Sequence, residues 1–227
     1  MPQPALKDVE FWIFDLDNTL YPASCRLFDQ VDRRIGMYIE QFLNLDREAA
    51  RALQKQYFRD HQTTLNGLMI NHAVAPEEFL DFVHEIDVSG VPVDAELDAA
   101  LDRLGGRKVI FTNGSVKHAE NVMGRLGIAR HFTDIFDIAA ADYTPKPDPE
   151  TYRKLVRRYA IRPERAAMID DMPRNLEPAA ALGMATVLVK SHHDWAQPTG
   201  AEDYIHHVTD QLAGFLHAAI QQRNEGR

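Results

Sequence analysis

The stretch VEFWIFDLDNTLY, residues 9–21, decides the fold predicted for this chain. Its first six residues are almost continuously apolar, which is typical of a strand buried on both faces within a parallel sheet. Asp15 and Asp17 follow where that strand ends, and residues two apart in an extended segment point their side chains the same way. In open α/β sheets the carboxyl ends of the strands form the edge at which ligands bind. We therefore expect a functional site at this edge.

Three further short apolar runs have the same character, and a weaker one lies between them. They are KVIF (108–111), AAMI (166–169), ATVLV (185–189) and the weaker DIFDIAA (134–140). Each is bounded by turn residues or followed by a helical pattern, which predicts an α/β fold with a doubly wound, Rossmann-like parallel sheet. Pro178 should interrupt any helix over 173–182, so we expect a turn near Asn175 and a helix from about residue 177.

Residues 21–93 have a different pattern from the rest of the chain. Apolar residues recur at helical spacing from Phe28 to Phe42, Asp46 is placed to cap a second helix, and Pro76 suits a first helical position. A crossover between two strands needs far fewer residues than this. We therefore expect an all-helical cap at 21–93, inserted into an α/β core made of 1–20 and 94–227.

Composition excludes several classes of function. The 227 residues carry a formal net charge of -9 with no basic run, so a nucleic acid polymer is not expected as a partner. No segment is apolar enough to span a membrane, and a single cysteine, Cys25, leaves no internal disulfide; we expect a cytoplasmic protein. The adjacent pairs His192-His193 and His206-His207 lack the spacing of metal ligands on one helix face, which favours surface or structural roles.

Four polar clusters follow strand-like runs, where the sheet model places them at one edge. They are Asp15 and Asp17; Thr112, Asn113 and Gly114; Lys146 between two prolines; and Asp170 and Asp171 with Asn175 beyond them. Each alone has an ordinary interpretation, as a turn residue, a helix cap or a solvated lysine. Four unrelated polar clusters would rarely lie at the same edge of a sheet by chance. We therefore expect them to form one shared site.

Electrostatics indicates the cofactor. Two like charges about 4 Å apart repel by roughly 4 kcal/mol at an effective dielectric near 20. Several carboxylates meeting at the edge therefore require a cation between them. Oxygen ligands without Cys or His favour Mg²⁺, which also bridges to phosphate oxygens.

The four clusters, taken in chain order, resemble the motifs of the haloacid dehalogenase (HAD) superfamily of phosphotransferases. The DxD pair, the strand-end threonine, the lysine and the acidic IDDMPRN stretch occur in that superfamily's order, and the helical insertion matches its cap. Within the superfamily, the motif sequences most resemble those of the pyrimidine 5'-nucleotidase branch. These sequences are DLDNTLYP, FTNGS, KPDPETY and DDMPRNLEPAAALGM. The resemblance covers nearly the whole chain.

The resemblance implies a role for each catalytic position. Asp15 would attack phosphorus to form an aspartyl-phosphate, and Asp17 would protonate the leaving alcohol and then activate water. Thr112, with Asn113 and Gly114 after it, and Lys146 would bind the transferring phosphoryl group.

The resemblance also implies a metal site. Mg²⁺ would be held by Asp15, the main-chain carbonyl of Asp17 and Asp171. Asp170 would lie behind that site, and Asn175 would orient the acidic loop.

The cap is expected to choose the leaving group. The stretch HQTTLNGLM (61–69) breaks the helical pattern, so Thr63, Thr64 and Asn66 could bond a base or sugar, and Tyr21 could stack near the entrance. The alternative is that these residues only form a turn between two helices.

The function expected is a Mg²⁺-dependent phosphomonoesterase acting on a small phosphorylated metabolite, with a pyrimidine nucleoside 5'-monophosphate favoured. A sugar-phosphate or phosphoglycolate-type phosphatase and a phosphomutase share the same motifs and stay open. Dehalogenation is disfavoured, since a halide leaving group needs no acid such as Asp17. A phospho-accepting signalling module is a remote alternative, because response-regulator receivers are about half this length and lack the helical insertion. The sequence does not indicate an oligomeric state.

Overall fold

A computed structural model describes residues 5–191 and 202–225. Within these residues, six strands form one sheet in the order β3-β2-β1-β4-β5-β6, and every neighbouring pair is parallel. The strands are β1 Phe11–Phe14, β2 Arg107–Phe111, β3 Asp134–Phe136, β4 Ala166–Asp170, β5 Ala185–Val189 and β6 His207–Thr209. The predicted doubly wound parallel sheet is thus confirmed, while the pair His192-His193 lies outside the described residues.

The register of the central strands places the polar clusters together. Phe14 in β1 is level with Ile110 in β2 and with Ile169 in β4, so the residues after these positions leave the sheet at the same edge. Strand β6 was not predicted, because its three half-exposed residues at the sheet edge, two of them polar, form no apolar run.

The core helices cover both faces of the sheet. They are α5 Ala95–Arg103, α6 Val116–Leu126, α7 Pro149–Tyr159, α8 Pro173–Ala181 and α9 Leu212–Glu225. Alternate residues of β1 enter two different apolar clusters: Trp12 and Phe14 pack on one face, and Phe11 and Ile13 on the other. This alternation explains why the whole first strand is apolar.

Four helices lie between β1 and α5. They are α1 Leu27–Leu43, α2 Arg47–His61, α3 Thr64–His72 and α4 Pro76–Val83, and residues 21–93 contain no strand. These helices share an apolar cluster that is separate from the two beside the sheet. Tyr21 and Leu27, at the N-terminal end of this helical layer, pack in the main core.

Residues 61–69 interrupt the helical pattern, as expected. Helix α2 ends at His61 and α3 begins at Thr64, and Thr63 Oγ accepts a hydrogen bond from the Asn66 N–H at 3.1 Å and so caps α3. Helix α2 starts as predicted, because Asp46 Oδ1 accepts from two N–H groups of its first turn. Short polar residues are typical of such helix N-caps.

Helix α8 corrects the interpretation of Pro178. It runs unbroken from Pro173 to Ala181 with Pro178 inside it. Proline removes one N–H from the helix, whereas Pro173 favours the helix start and Leu176 is buried against the sheet. In a nine-residue helix this packing outweighs the one lost bond. None of the described helices combines the length and apolarity needed to cross a membrane.

Candidate active site

Lys146 lies at the centre of the polar cluster at the carboxyl edge of the sheet. Its Nζ donates to Asp15 Oδ1 at 2.7 Å, to Asp170 Oδ2 at 2.8 Å and to the Phe111 carbonyl oxygen at 2.9 Å. Burial alone would lower the pKa of this ammonium, but the two carboxylates raise it, so Lys146 remains charged. One buried cation therefore joins the ends of β1, β2 and β4.

Asp15 is fixed by bonds from both its backbone and its side chain. Its N–H donates to the Ile169 carbonyl oxygen at 2.9 Å, and its Oδ2 accepts from the Thr19 hydroxyl at 3.2 Å. Burial raises the pKa of Asp15 to about 7; Lys146 opposes this shift, while the charges of Asp170 and Asp17 add to it. A further cation beside Asp15 would favour its carboxylate.

Asp170, the last residue of β4, has donors on both oxygens. Oδ1 accepts from the Met172 N–H and from Asn175 Nδ2, both at 2.9 Å, and Oδ2 accepts from Lys146 and, at 3.2 Å, from Asn175 Nδ2. The main-chain carbonyl oxygen of Asn175 in turn accepts a hydrogen bond from the Tyr152 hydroxyl at 2.6 Å. Asn175 is thereby held against α7 and orients Asp170.

Asp171 differs from Asp170 in having an unpaired oxygen. Its Oδ2 is buried and has no hydrogen-bond donor in the part of the chain that the structure describes. Burial, together with the charges of Asp15 and Asp170, raises the pKa of Asp171 well above its usual value. One carboxylate oxygen from each of these three residues lies within 4.8 Å of the others. A buried, donor-less oxygen in an all-oxygen cluster fits a hard divalent cation such as Mg²⁺.

Asp17 has two donors on a single oxygen. Its Oδ1 accepts from the Tyr21 hydroxyl at 2.6 Å and is 2.8 Å from His118 Nε2. Burial opposes the shift, but the charge and hydrogen bond of His118 and the hydrogen bond of Tyr21 lower the pKa of Asp17 to about 2. Asp17 in turn raises the pKa of His118 despite its burial. Both shifts favour an imidazolium–carboxylate pair.

The loop after β2 is tied to Lys146. Asn113 Oδ1 accepts from the Lys146 backbone N–H at 2.8 Å, and Asn113 Nδ2 donates to the Lys146 carbonyl at 3.3 Å. The Asn113 side chain, predicted to bind phosphate, thus holds the lysine loop. The Thr112 hydroxyl accepts from the Gly114 N–H at 2.9 Å, which leaves its own proton for another acceptor.

Comparison with known proteins agrees with this geometry. The family model described as a hydrolase, haloacid dehalogenase-like, matches residues 12–183, which include every motif of the cluster. This chain belongs to the haloacid dehalogenase-like hydrolases.

Two curated relatives of this hydrolase are phosphate-related by name. Phosphate metabolism protein 8 of Saccharomyces cerevisiae is 27% identical over 206 residues, which cover 82% of this chain but only 62% of that protein's length. Glyceraldehyde 3-phosphate phosphatase of Methanopyrus kandleri is 28% identical over 195 residues, covering 78% of this chain and 82% of that protein. The family match identifies a hydrolase, and one of these two relatives is a phosphatase by name.

A solved structure shows the same fold. The HAD phosphatase from Thermococcus onnurineus superposes with a TM-score of 0.63 at 15% identity, covering 92% of this chain and 97% of that one. At this identity the likeness concerns the fold alone.

The residues predicted to contact the leaving group have other partners in the hydrolase. Thr63 caps α3, the Thr64 hydroxyl donates to the Gln54 carbonyl at 3.2 Å, and Asn66 Nδ2 donates to the His61 carbonyl at 3.0 Å. These are the bonds of a helix–helix turn, the alternative interpretation of this stretch.

Tyr21 corrects a second substrate prediction. It does not stack at an entrance, because its ring is only 1% exposed and its hydroxyl is bound to Asp17. Stacking of this ring near the entrance was expected because Tyr21 follows the DxD motif. Its large apolar surface is instead buried in the core.

Sequence reasoning missed His118. It stands in the first turn of α6. Its only sequence signal was its position three residues after the FTNGS stretch, which ends at Ser115. A helix start that follows a strand-end loop directs such a side chain toward the same sheet edge. The 101-residue separation from Asp17 hid the contact.

Proposed function

We propose that this hydrolase is a Mg²⁺-dependent phosphomonoesterase that works through an aspartyl-phosphate on Asp15. The observation that carries the proposal is the buried bridge of Lys146 between Asp15 and Asp170, with the unpaired oxygen of Asp171 beside it. In a purely structural salt bridge each carboxylate would have a cationic partner. This cluster has three carboxylates, from Asp15, Asp170 and Asp171, and one ammonium, from Lys146.

The residues that would hold Mg²⁺ are Asp15, Asp171 and the main-chain carbonyl of Asp17. Asp170 supports them from behind, because Lys146 and Asn175 already occupy its oxygens. When bound, the ion would neutralise negative charge on the phosphoryl group. The chelation test follows directly: activity that survives exhaustive removal of divalent metal would contradict this assignment.

The reaction proceeds in two displacements. The Asp15 carboxylate attacks phosphorus, the ester P–O bond breaks, and Asp17 gives its proton to the departing alcohol. Water then attacks the phosphorus of the aspartyl-phosphate, Asp17 takes the proton of that water, and the Asp15 carboxylate is regenerated. The Thr112 hydroxyl would donate to a phosphoryl oxygen, and the charge of Lys146, which stays bound to Asp15, would stabilise the transferring phosphoryl group.

Asp17 must change its protonation state between these steps. The donors on its Oδ1 favour the carboxylate, which is the form that accepts a proton from water. The negative charge of a bound phosphate ester raises the pKa of a neighbouring carboxyl, which favours the protonated form needed for the first step.

The test is phosphate release in the presence of Mg²⁺ from a panel of phosphate monoesters. Asp15→Asn should lower kcat/KM on the order of 10⁴-fold, as expected for the loss of a nucleophile. Asp137→Asn is the matched control, because Asp137 is another buried aspartate near this edge whose oxygens accept from the N–H groups of Val116 and Ala140. Equal losses in the two variants would refute the role of Asp15.

For the substrate, we propose a pyrimidine nucleoside 5'-monophosphate, which rests on the resemblance of the motif wording. A triose phosphate is the second candidate, favoured by the relative named glyceraldehyde 3-phosphate phosphatase. Comparing kcat/KM for uridine and cytidine 5'-monophosphates with that for glyceraldehyde 3-phosphate separates the two. A preference of tenfold or more for the triose phosphate would overturn the nucleotidase assignment.

A further inference from the structure

A line of four polar side chains connects Asp17 with the helical layer. His118 Nε2 is 2.8 Å from Asp17 Oδ1, and the His118 ring stacks on that of His84, with centroids 4.4 Å apart and planes at 10°. His84 Nδ1 is 3.0 Å from Ser115 Oγ. His84 follows the last residue of α4, whereas Ser115 and His118 begin α6 of the core.

This line fixes which oxygen of Asp17 is presented to substrate. Tyr21 and His118 both bind Oδ1, and no hydrogen bond to Oδ2 occurs within residues 5–191 and 202–225. Two donors on one oxygen restrict the rotation of the carboxylate group. Oδ2 is thus left as the oxygen that meets the leaving group.

The loop before α6 leaves room for the two rings. A Cβ at Gly114 would lie 3.3 Å from His118 Cδ2, closer than most such contacts, and would touch His84 Cε1 at 3.6 Å, so a larger residue would crowd the His118 ring. Ser115 Oγ accepts from the His118 backbone N–H at 3.3 Å and is hydrogen-bonded to His84 Nδ1 at 3.0 Å, so one hydroxyl joins the two residues. The backbone, the rings and the hydroxyl together set the plane of His118.

We propose that His118 is a positioning residue for Asp17, and that His84 from the helical layer holds the His118 ring in the plane that this requires. The inference rests on the proposed function of Asp17 as the proton donor. His118 touches neither the phosphoryl group nor the leaving group. It acts by holding Oδ2 of Asp17 where the leaving oxygen needs a proton, and a misplacement of about 1 Å costs on the order of 10²-fold in rate.

The leaving group provides the test. An alkyl phosphate needs protonation of its leaving oxygen, whereas dinitrophenolate leaves as a stable anion and needs none. The measurement is kcat/KM for a sugar phosphate and for 2,4-dinitrophenyl phosphate, because kcat/KM reports the steps up to the transfer of phosphorus. The variants are His118→Phe, which keeps a ring without a donor, and His118→Gln, which keeps a donor.

His118→Phe should lower kcat/KM for the sugar phosphate by about 100-fold and that for dinitrophenyl phosphate by less than about threefold. His118→Gln should recover at least part of the loss on the sugar phosphate. His84→Phe should give the same selective pattern with a smaller loss, about fivefold, because it acts only through the plane of His118. Equal losses on both substrates in His118→Phe and His118→Gln, or no loss in either, would overturn the inference.

Asp17→Asn distinguishes the failure of this inference from that of the proposed function. Because hydrolysis of the intermediate also needs Asp17, this variant is measured by release of the leaving group in the first turnover. If Asp17→Asn slows release from the sugar phosphate selectively while the His118 variants do not, only the positioning role of His118 is overturned. If Asp17→Asn slows release from both substrates equally, the proton-donor role of Asp17 is overturned, and the role of His118 with it. Thermal unfolding of each variant shows whether it is folded, and His118→Gln keeps the test decisive if the phenylalanine variant is not.

Discussion

Replacing Lys146 by methionine should destabilise the protein strongly, and in a way that depends on pH. The change keeps an unbranched apolar stem but removes the cation between Asp15 and Asp170, whose oxygens lie 2.7 and 2.8 Å from Nζ. Removing one partner of a buried ion pair typically costs about 3–5 kcal/mol.

The same magnitude follows from protonation. A carboxyl left without its cation avoids the buried charge by taking a proton. For an aspartate with the ordinary pKa of 3.8, this costs about 4 kcal/mol at pH 7 and about 2 kcal/mol at pH 5. Protonation therefore limits the cost of a buried carboxyl without a cation to about 4 kcal/mol at pH 7. For Asp15 much of this cost is already present in the wild type, because its pKa is raised to about 7 there.

The sign of the pH dependence is fixed by linkage. In Lys146→Met the pKa of Asp15 should rise further above its wild-type value of about 7, so the variant loses stability relative to the wild type as the pH rises above 7. The assay is urea unfolding at pH 7 and pH 8.5 with a chelator present. In this range the stranded Asp15 should add about 1.4 kcal/mol of destabilisation per pH unit relative to the wild type.

Lys108→Met is the matched control. Lys108 is also a buried lysine, but its Nζ donates to the carbonyl oxygens of Leu104 and Gly106 rather than to a carboxylate. Its replacement should cost about 1–3 kcal/mol with little change between pH 7 and pH 8.5. A pH-independent loss in Lys146→Met, equal to that of the control, would refute the account of the charged cluster.

Three further predictions follow from the contacts of the site. Mg²⁺ should raise the melting temperature of the wild type, and Asp171→Asn should abolish that rise; a rise that persists in the variant would place the ion elsewhere. Thr63→Ala should lower the free energy of unfolding by about 1 kcal/mol through loss of the α3 cap, without changing the ratio of kcat/KM between a nucleotide and a triose phosphate. A changed ratio would restore Thr63 to a substrate role. Tyr21→Phe removes one of the two donors on Asp17 Oδ1 and should lower kcat/KM for an alkyl phosphate about tenfold, with dinitrophenyl phosphate as the insensitive control.

The central fold and most of the charged cluster could be predicted from the sequence. A buried parallel strand reveals itself by a run of apolar residues, and residues that follow parallel strands meet at one edge whatever the loops do. This rule alone predicts that the side chains at the ends of the strands lie at one edge, namely those of Asp15, Thr112 and Asp170. Lys146 needed the further assumption that its proline-flanked loop reaches the edge, and the structure places its Nζ against Asp15 and Asp170.

The parts that could not be predicted depend on tertiary contacts. Thr63 and Pro178 were interpreted from local preference, whereas capping of α3 and packing of α8 against the sheet decide their actual structure. The contact of His118 with Asp17 spans 101 residues and requires α6 to begin at the end of β2. The sequence shows that Tyr21 lies four residues after Asp17. It does not show that the ring is buried, because this depends on the shape of the core.

The most direct test of the central claim is to trap the phosphoryl group on the protein. In Asp17→Asn, dinitrophenyl phosphate needs no acid to react, whereas water lacks the base that would hydrolyse the intermediate. Rapid acid quenching followed by peptide mass spectrometry should therefore find stoichiometric phosphate on Asp15, and none on the protein in the double variant that also carries Asp15→Asn. Phosphate on another residue, or a first turnover that releases phosphate from Asp17→Asn without any phosphorylated protein, would contradict the account.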